Sequence, residues 1–131
     1  MSGKVKAFQH FGVTLKNEQW SWSGRNETGE VVLSLWTDEM NYKLKPPTYS
    51  IFNLKSLPDW KDKPGNKERI NNLVWAKKNS GGIFNVVMCK AKIPITEPKI
   101  IDEAYPTKLI MRLIDLNEIT GEFTAELVEN I

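Results

Sequence analysis

Residues 66–92, NKERINNLVWAKKNSGGIFNVVMCKAK, change their apolar period halfway, and that change decides the fold. Ile70, Leu73, Val74 and Lys77 recur at helical spacing with Trp75 on the flank, which predicts a helix over 66–80. Gly81-Gly82 ends it, and Lys77 and Lys78 in its last turn suit the negative end of the helix dipole. The run that follows, 83–92, starts apolar on both faces, as a strand does when it lies inside a sheet. A helix feeding directly into an interior strand points to an α+β domain.

Upstream, Val5, Phe8 and Phe11 recur at helical spacing before Gly12, so 4–11 is read as a short helix. Gln19-Trp20-Ser21-Trp22-Ser23 alternates with period two, and 30–36 is β-branched and apolar, so the pair reads as a hairpin around the turn at 24–29. Residues 37–65 hold Pro46, Pro47, Pro58 and Pro64 and are expected to be irregular, with one short strand over 49–54. Downstream, Pro94 and Pro98 bracket a connector, 99–105 reads as a helical turn before Pro106, and 108–116 with 122–127 form a closing hairpin. The expected architecture is a single α+β domain over all 131 residues. Its core would be a curved mixed sheet, or partly open barrel, of about six short strands with two packed helices.

Composition is ordinary for a globular chain, 40% apolar and 26% charged. One cysteine, Cys89, excludes an internal disulfide, and its apolar neighbours read as burial of an inert thiol. No apolar run approaches the roughly 20 residues of a membrane span, and no signal segment opens the chain, so a cytoplasmic protein without a membrane partner is expected. The net charge of +2 hides an asymmetry: residues 1–100 carry +7 and residues 101–131 carry −5. That split fits two solvated faces of opposite sign. It also fits a basic face that meets a polyanion.

Most acid–base, nucleophilic and zinc chemistry draws on imidazole, and His10 is the single histidine. Gly81-Gly82 follows a helix rather than opening one, so it cannot cradle phosphate at a helix N-terminus. No catalytic residue, metal ligand or cofactor is assigned. Carboxylates keep one alternative open, a metal-dependent nuclease. Asp38-Glu39 and Asp102-Glu103 are paired acids, and Asp59-Trp60-Lys61 and Glu97-Pro98-Lys99 have acid-x-lysine spacing. Both triplets, however, fall in proline-bearing loops rather than on strands.

Five tryptophans stand out, of which Trp36 and one of Trp20 and Trp22 are expected in the core. Trp60, flanked by Pro58-Asp59 and Lys61-Asp62-Lys63, reads as an exposed stacking platform. Residues 55–78 around it carry a local charge of +4. Trp60, Lys61, Lys63, Lys67 and Arg69, with Arg25 in the hairpin turn as a second contact, are therefore the candidate ligand-binding residues.

The segments Trp20-Ser21-Trp22-Ser23, Val31-Val32-Leu33-Ser34-Leu35-Trp36, Gly82-Ile83-Phe84-Asn85-Val86-Val87 with Ala91-Lys92, and Met111-Arg112 with Thr120-Gly121-Glu122-Phe123 resemble a group of small bacterial proteins. That resemblance spans most of the chain and implies no activity. The strand-rich pattern is also similar in architecture to PUA-like domains of the EVE type, whose small curved sheets read modified bases, although no diagnostic motif of theirs is present. The expected function is a non-enzymatic binding module whose partner is nucleic acid. The alternative is a protein-interaction module, such as a self-associating accessory protein of a mobile element or phage, forming a homodimer through exposed tryptophans.

Overall fold

The computed structural model describes residues 3–92 and 99–128. The segment that decides the fold behaves as its period dictates. A sixteen-residue helix, α3 (Pro64–Asn79), runs into β5 (Ile83–Ala91). Pro64 occupies the first turn, where its missing N–H removes no helical hydrogen bond.

β5 is apolar on both faces because both faces are covered. Phe84, Val86 and Met88 point into one core cluster together with Leu73 and Ala76 of α3. Val87 and Cys89 point the other way, into a second cluster with Val5, Ala7 and Phe8 of α1 (Gly3–His10). Each core buries one set of alternating side chains, so a one-residue slip of β5 would exchange the two sets.

β5 pairs in parallel with β2 (Val31–Trp36), which pairs antiparallel with the short edge strand β1 (Ser23–Arg25). On its other side β5 pairs antiparallel with the long β6 (Ile101–Leu116), and the ladder continues antiparallel through β7 (Phe123–Leu127), β4 (Thr48–Ser50) and β3 (Met40–Asn41). The result is an open, mixed sheet of seven strands in the order β1-β2-β5-β6-β7-β4-β3. A one-turn helix, α2 (Leu57–Trp60), precedes α3. The α+β fold is as expected, with one strand more and a third, short helix.

Several local expectations are corrected. Residues 101–105 are not a helical turn but the start of β6, because they complete the β5 ladder at Ala91↔Ile101 and Met88↔Tyr105. Pro106 sits opposite Val87 beside a register irregularity, and the next residue's Thr107 Oγ1 donates to the Val86 carbonyl at 2.8 Å, which satisfies an acceptor next to a residue with no N–H. Of the strand expected over 49–54 only its start is strand, as Thr48–Ser50. Trp20 and Trp22 precede β1 rather than lying on it, although the Trp22 carbonyl still accepts from Ser34 N at 2.9 Å. The connector between Pro94 and Pro98 lies outside the described residues, and so do Glu97 and Pro98 of the Glu97-x-Lys99 pattern, of which only Lys99 is described.

The sheet curls without closing. Tyr49, on β4 near one edge, sends its side chain across the first core, where its phenol oxygen accepts from Trp36 N at 3.3 Å, at the end of β2 near the other edge. That contact sets the geometry of the site.

Candidate functional site

Beside the end of β2 opens a pocket of about 310 Å³. Trp20, Trp22, Trp36 and Trp60 all line it. Trp22 is held beside β2 by its carbonyl, which accepts from both Ser34 N and Ser34 Oγ, the latter at 3.0 Å. Trp60 is the last residue of α2, and its indole N–H donates to Ser56 Oγ one turn back, at 3.1 Å. Gly65, in the first turn of α3, lets helix and tryptophan approach: a Cβ there would sit 2.5 Å from the Trp20 carbonyl oxygen and 2.6 Å from the Trp22 ring.

At the inner end lies Arg69, only 7% exposed. Its guanidinium carbon is 5.0 Å from the Trp22 ring centroid, 5.5 Å from that of Trp60 and 5.3 Å from that of the buried Phe123. One nitrogen, Nη2, donates to Asn66 Oδ1 at 3.2 Å, while Nε has no hydrogen-bond partner among the described residues. Burial pulls the Arg69 pKa down to about 10, against the opposing pull of Tyr49 and Glu39, so the group is still a cation at neutral pH. Asn66 in turn donates to the carbonyls of Lys61 and Thr120 at 2.9 and 2.8 Å, which ties Arg69's one partner to the β6–β7 turn.

A second buried cation comes from α1. Lys4 is 8% exposed and donates to the Ser21 carbonyl at 3.1 Å; burial lowers its pKa. Neither Lys4 nor Arg69 has a carboxylate within ion-pair distance among the described residues. The pocket's acid is Glu39, in the 3-10 turn Thr37–Glu39 after β2. Its Oε2 accepts from the Tyr49 phenol at 2.9 Å and its Oε1 from Lys99 at 2.8 Å. Lys99 also bonds Asp38 at 2.8 Å and lies 5.2 Å from the Trp36 ring centroid. Burial alone would lower the Lys99 pKa, but the two carboxylates outweigh it and the net direction is up. Burial, then the Glu39 charge, raises Tyr49 well above the usual phenol range.

The expected contacts divide into two groups. Trp60, Lys63 and Arg69 come together in the pocket, whereas Lys61 and Lys67 are exposed outside its lining. Arg25 is elsewhere, its guanidinium 4.2 Å from the Trp75 ring centroid. Trp60 is not the free platform expected of it, since it packs against the first core, and Arg69 is not a surface charge. Only Trp75 among the tryptophans is exposed, so the other four do not form an outward apolar face. Trp22, Trp36, Lys4, Glu39 and Tyr49 were not anticipated at the site. For Arg69 a signal existed: it shares one α3 face with Asn66, Leu73 and Ala76, all buried.

The carboxylates expected of a nuclease do not gather. Asp38 and Glu39 share Lys99, Asp102 is on β6, and no group of three or more histidine, cysteine, aspartate or glutamate side chains could hold a metal among the described residues. Asp59 and Lys61 flank the end of α2 and lie on no strand. His10 is exposed at the end of α1, edge-on to Phe11 with centroids 5.0 Å apart, and does not line the pocket. No helix of the described residues is long and apolar enough to cross a membrane. Compared with known protein families, curated proteins and solved structures, the chain matches none.

Proposed function

We propose that this domain binds single-stranded or locally unpaired nucleic acid and takes one base into the tryptophan-walled pocket. The observation that carries this reading is the pair of buried cations, Lys4 and Arg69, which line the same aromatic pocket with no carboxylate within ion-pair distance among the described residues, Glu68 and Glu39 acting on them only from farther off. A buried charge costs several kcal/mol unless something compensates it. A nucleotide supplies both halves of the compensation, a planar ring for the tryptophans and an anionic backbone with acceptor edges for the cations. Lys63 lines the same pocket and is exposed, so it can meet a phosphate directly.

Titration of a labelled single strand and a blunt hairpin of the same composition, over a series of salt concentrations, tests this. Binding should favour the single strand and fall steeply with salt. Lys63→Gln should lower the log–log salt slope by about one unit. Trp60→Ala should cost ~1–3 kcal/mol while leaving the slope nearly unchanged. Failure of the folded protein to bind either strand at low salt would overturn the reading.

A further inference from the structure

The hydrogen-bonding inventory of the pocket narrows which base it takes. Arg69 carries five N–H donors in a planar fork, of which a single bond, to Asn66, is made among the described residues. The opposite requirement falls on Glu39. Each of its oxygens accepts one bond, from Lys99 or from Tyr49, and a carboxylate oxygen has room for a second. Tyr49 joins the two groups: its phenol donates to Glu39 at 2.9 Å, and its ring stacks at 5.7 Å on Phe123, whose centroid is 5.3 Å from the Arg69 guanidinium carbon. One aromatic pocket therefore offers a donor fork and an anionic acceptor.

Resting on the nucleic-acid reading, we infer that the base is guanine. Guanine presents two adjacent acceptors, O6 and N7, to which an arginine fork binds in bidentate fashion. On its other edge N1–H and the N2 amino group are donors, and a carboxylate is the complementary acceptor. Adenine would place its N6 amino group against the Arg69 donors and has no N–H at N1 to offer Glu39. The cost of a donor set against a donor is larger than that of a missing contact, because the buried cation is left unpaired. Trp22 and Trp60 stack on either purine, so affinity for the ring and choice between rings come from different residues.

The test uses the full chain and short oligo-deoxyadenosine strands that carry one central guanine, 7-deazaguanine, hypoxanthine or adenine. The guanine strand should bind about tenfold more tightly than the all-adenine strand. Loss of N7 should remove most of that gain, and loss of the N2 amino group part of it. Glu39→Gln, which keeps an acceptor for Tyr49, should shrink the guanine preference, read as the ratio of guanine-strand to all-adenine-strand affinity in the same variant. Equal binding of guanine and adenine strands overturns the inference and leaves the nucleic-acid reading standing. So does a preference that Glu39→Gln leaves intact. No binding to any strand overturns both.

Discussion

The Arg69 guanidinium carbon lies 5.0 Å from the centroid of the Trp22 ring, a cation facing an aromatic wall from the buried face of α3. Arg69 also faces the Trp60 and Phe123 rings, and three such contacts, each up to about 2 kcal/mol when desolvated, are of the same order as the several kcal/mol that burial of the charge costs. Arg69 is therefore expected to add little net stability and to serve binding. Arg69→Met, which keeps the bulk and removes the charge, should leave the urea midpoint unchanged or raised and weaken single-strand binding at least about tenfold. A midpoint that falls by more than about 2 kcal/mol equivalent, with binding retained, would make Arg69 a structural residue.

Tyr49 links the two halves of the curled sheet by accepting from Trp36 N and donating to Glu39. Tyr49→Phe keeps the ring stacked 5.7 Å from Phe123 and removes both bonds. A destabilisation of about 1–3 kcal/mol is expected, since a part-buried N–H and a carboxylate each lose a partner. Urea denaturation should show a lower midpoint with the slope unchanged. A variant as stable as the parent would mean that the phenol does not hold the curl.

Gly65 is where α3 presses on the tryptophan wall. Gly65→Ala must displace either the Trp20 carbonyl or the Trp22 ring, both less than 3 Å from the added carbon. Overpacking of this kind costs ~1–3 kcal/mol, and here it also moves a pocket wall. Both stability and single-strand affinity should drop. Gly81→Ala is the control, because its Cβ would meet nothing within 4 Å and its positive φ strains the backbone far from the pocket. That variant should lose stability and retain affinity once folded.

How much of this was legible in the sequence follows from distance along the chain. The period change at Gly81-Gly82 is local, so α3 and β5 could be read directly, as could the β6–β7 hairpin, whereas the leading strand of the first hairpin was read over 19–23 and lies instead at Ser23–Arg25, reaching into the expected turn. The first turns of β6 were misread because Pro106 is a local signal against a strand, whereas its place is set by Val87 on another strand. The site was half legible. Trp60, Lys63 and Arg69 lie within one short basic stretch, but Lys4 comes from α1 and Tyr49 from β4. Only the curl of the sheet brings Tyr49 to Trp36, and no spacing in the sequence encodes it.

Cys89 lines the pocket yet is 1% exposed, and burial pushes its thiol up to about 12. The folded chain therefore holds the proton that an unfolded thiol, near 9.0, would release as pH rises. At pH 8 a thiol with that folded pKa is thiolate in about one molecule in 10,000. Iodoacetamide should label the native protein negligibly at pH 8 and label it fully in denaturant. Lost stability above pH ~9 should be smaller in Cys89→Ala, since the unfolded parent alone gains from releasing that proton. Rapid stoichiometric labelling of the native chain would contradict the burial of this side.

The indole N–H signals of the five tryptophans, followed by two-dimensional NMR as a guanine-bearing single strand is added, test the central claim most directly. Trp20, Trp22, Trp36 and Trp60 line the pocket, while the indole N–H of Trp75 is held by the Gly29 carbonyl at 3.0 Å on the Arg25 side. The account predicts that the four pocket signals shift together and saturate with the ligand while the Trp75 signal stays in place. Movement of Trp75 with the pocket signals fixed would contradict it.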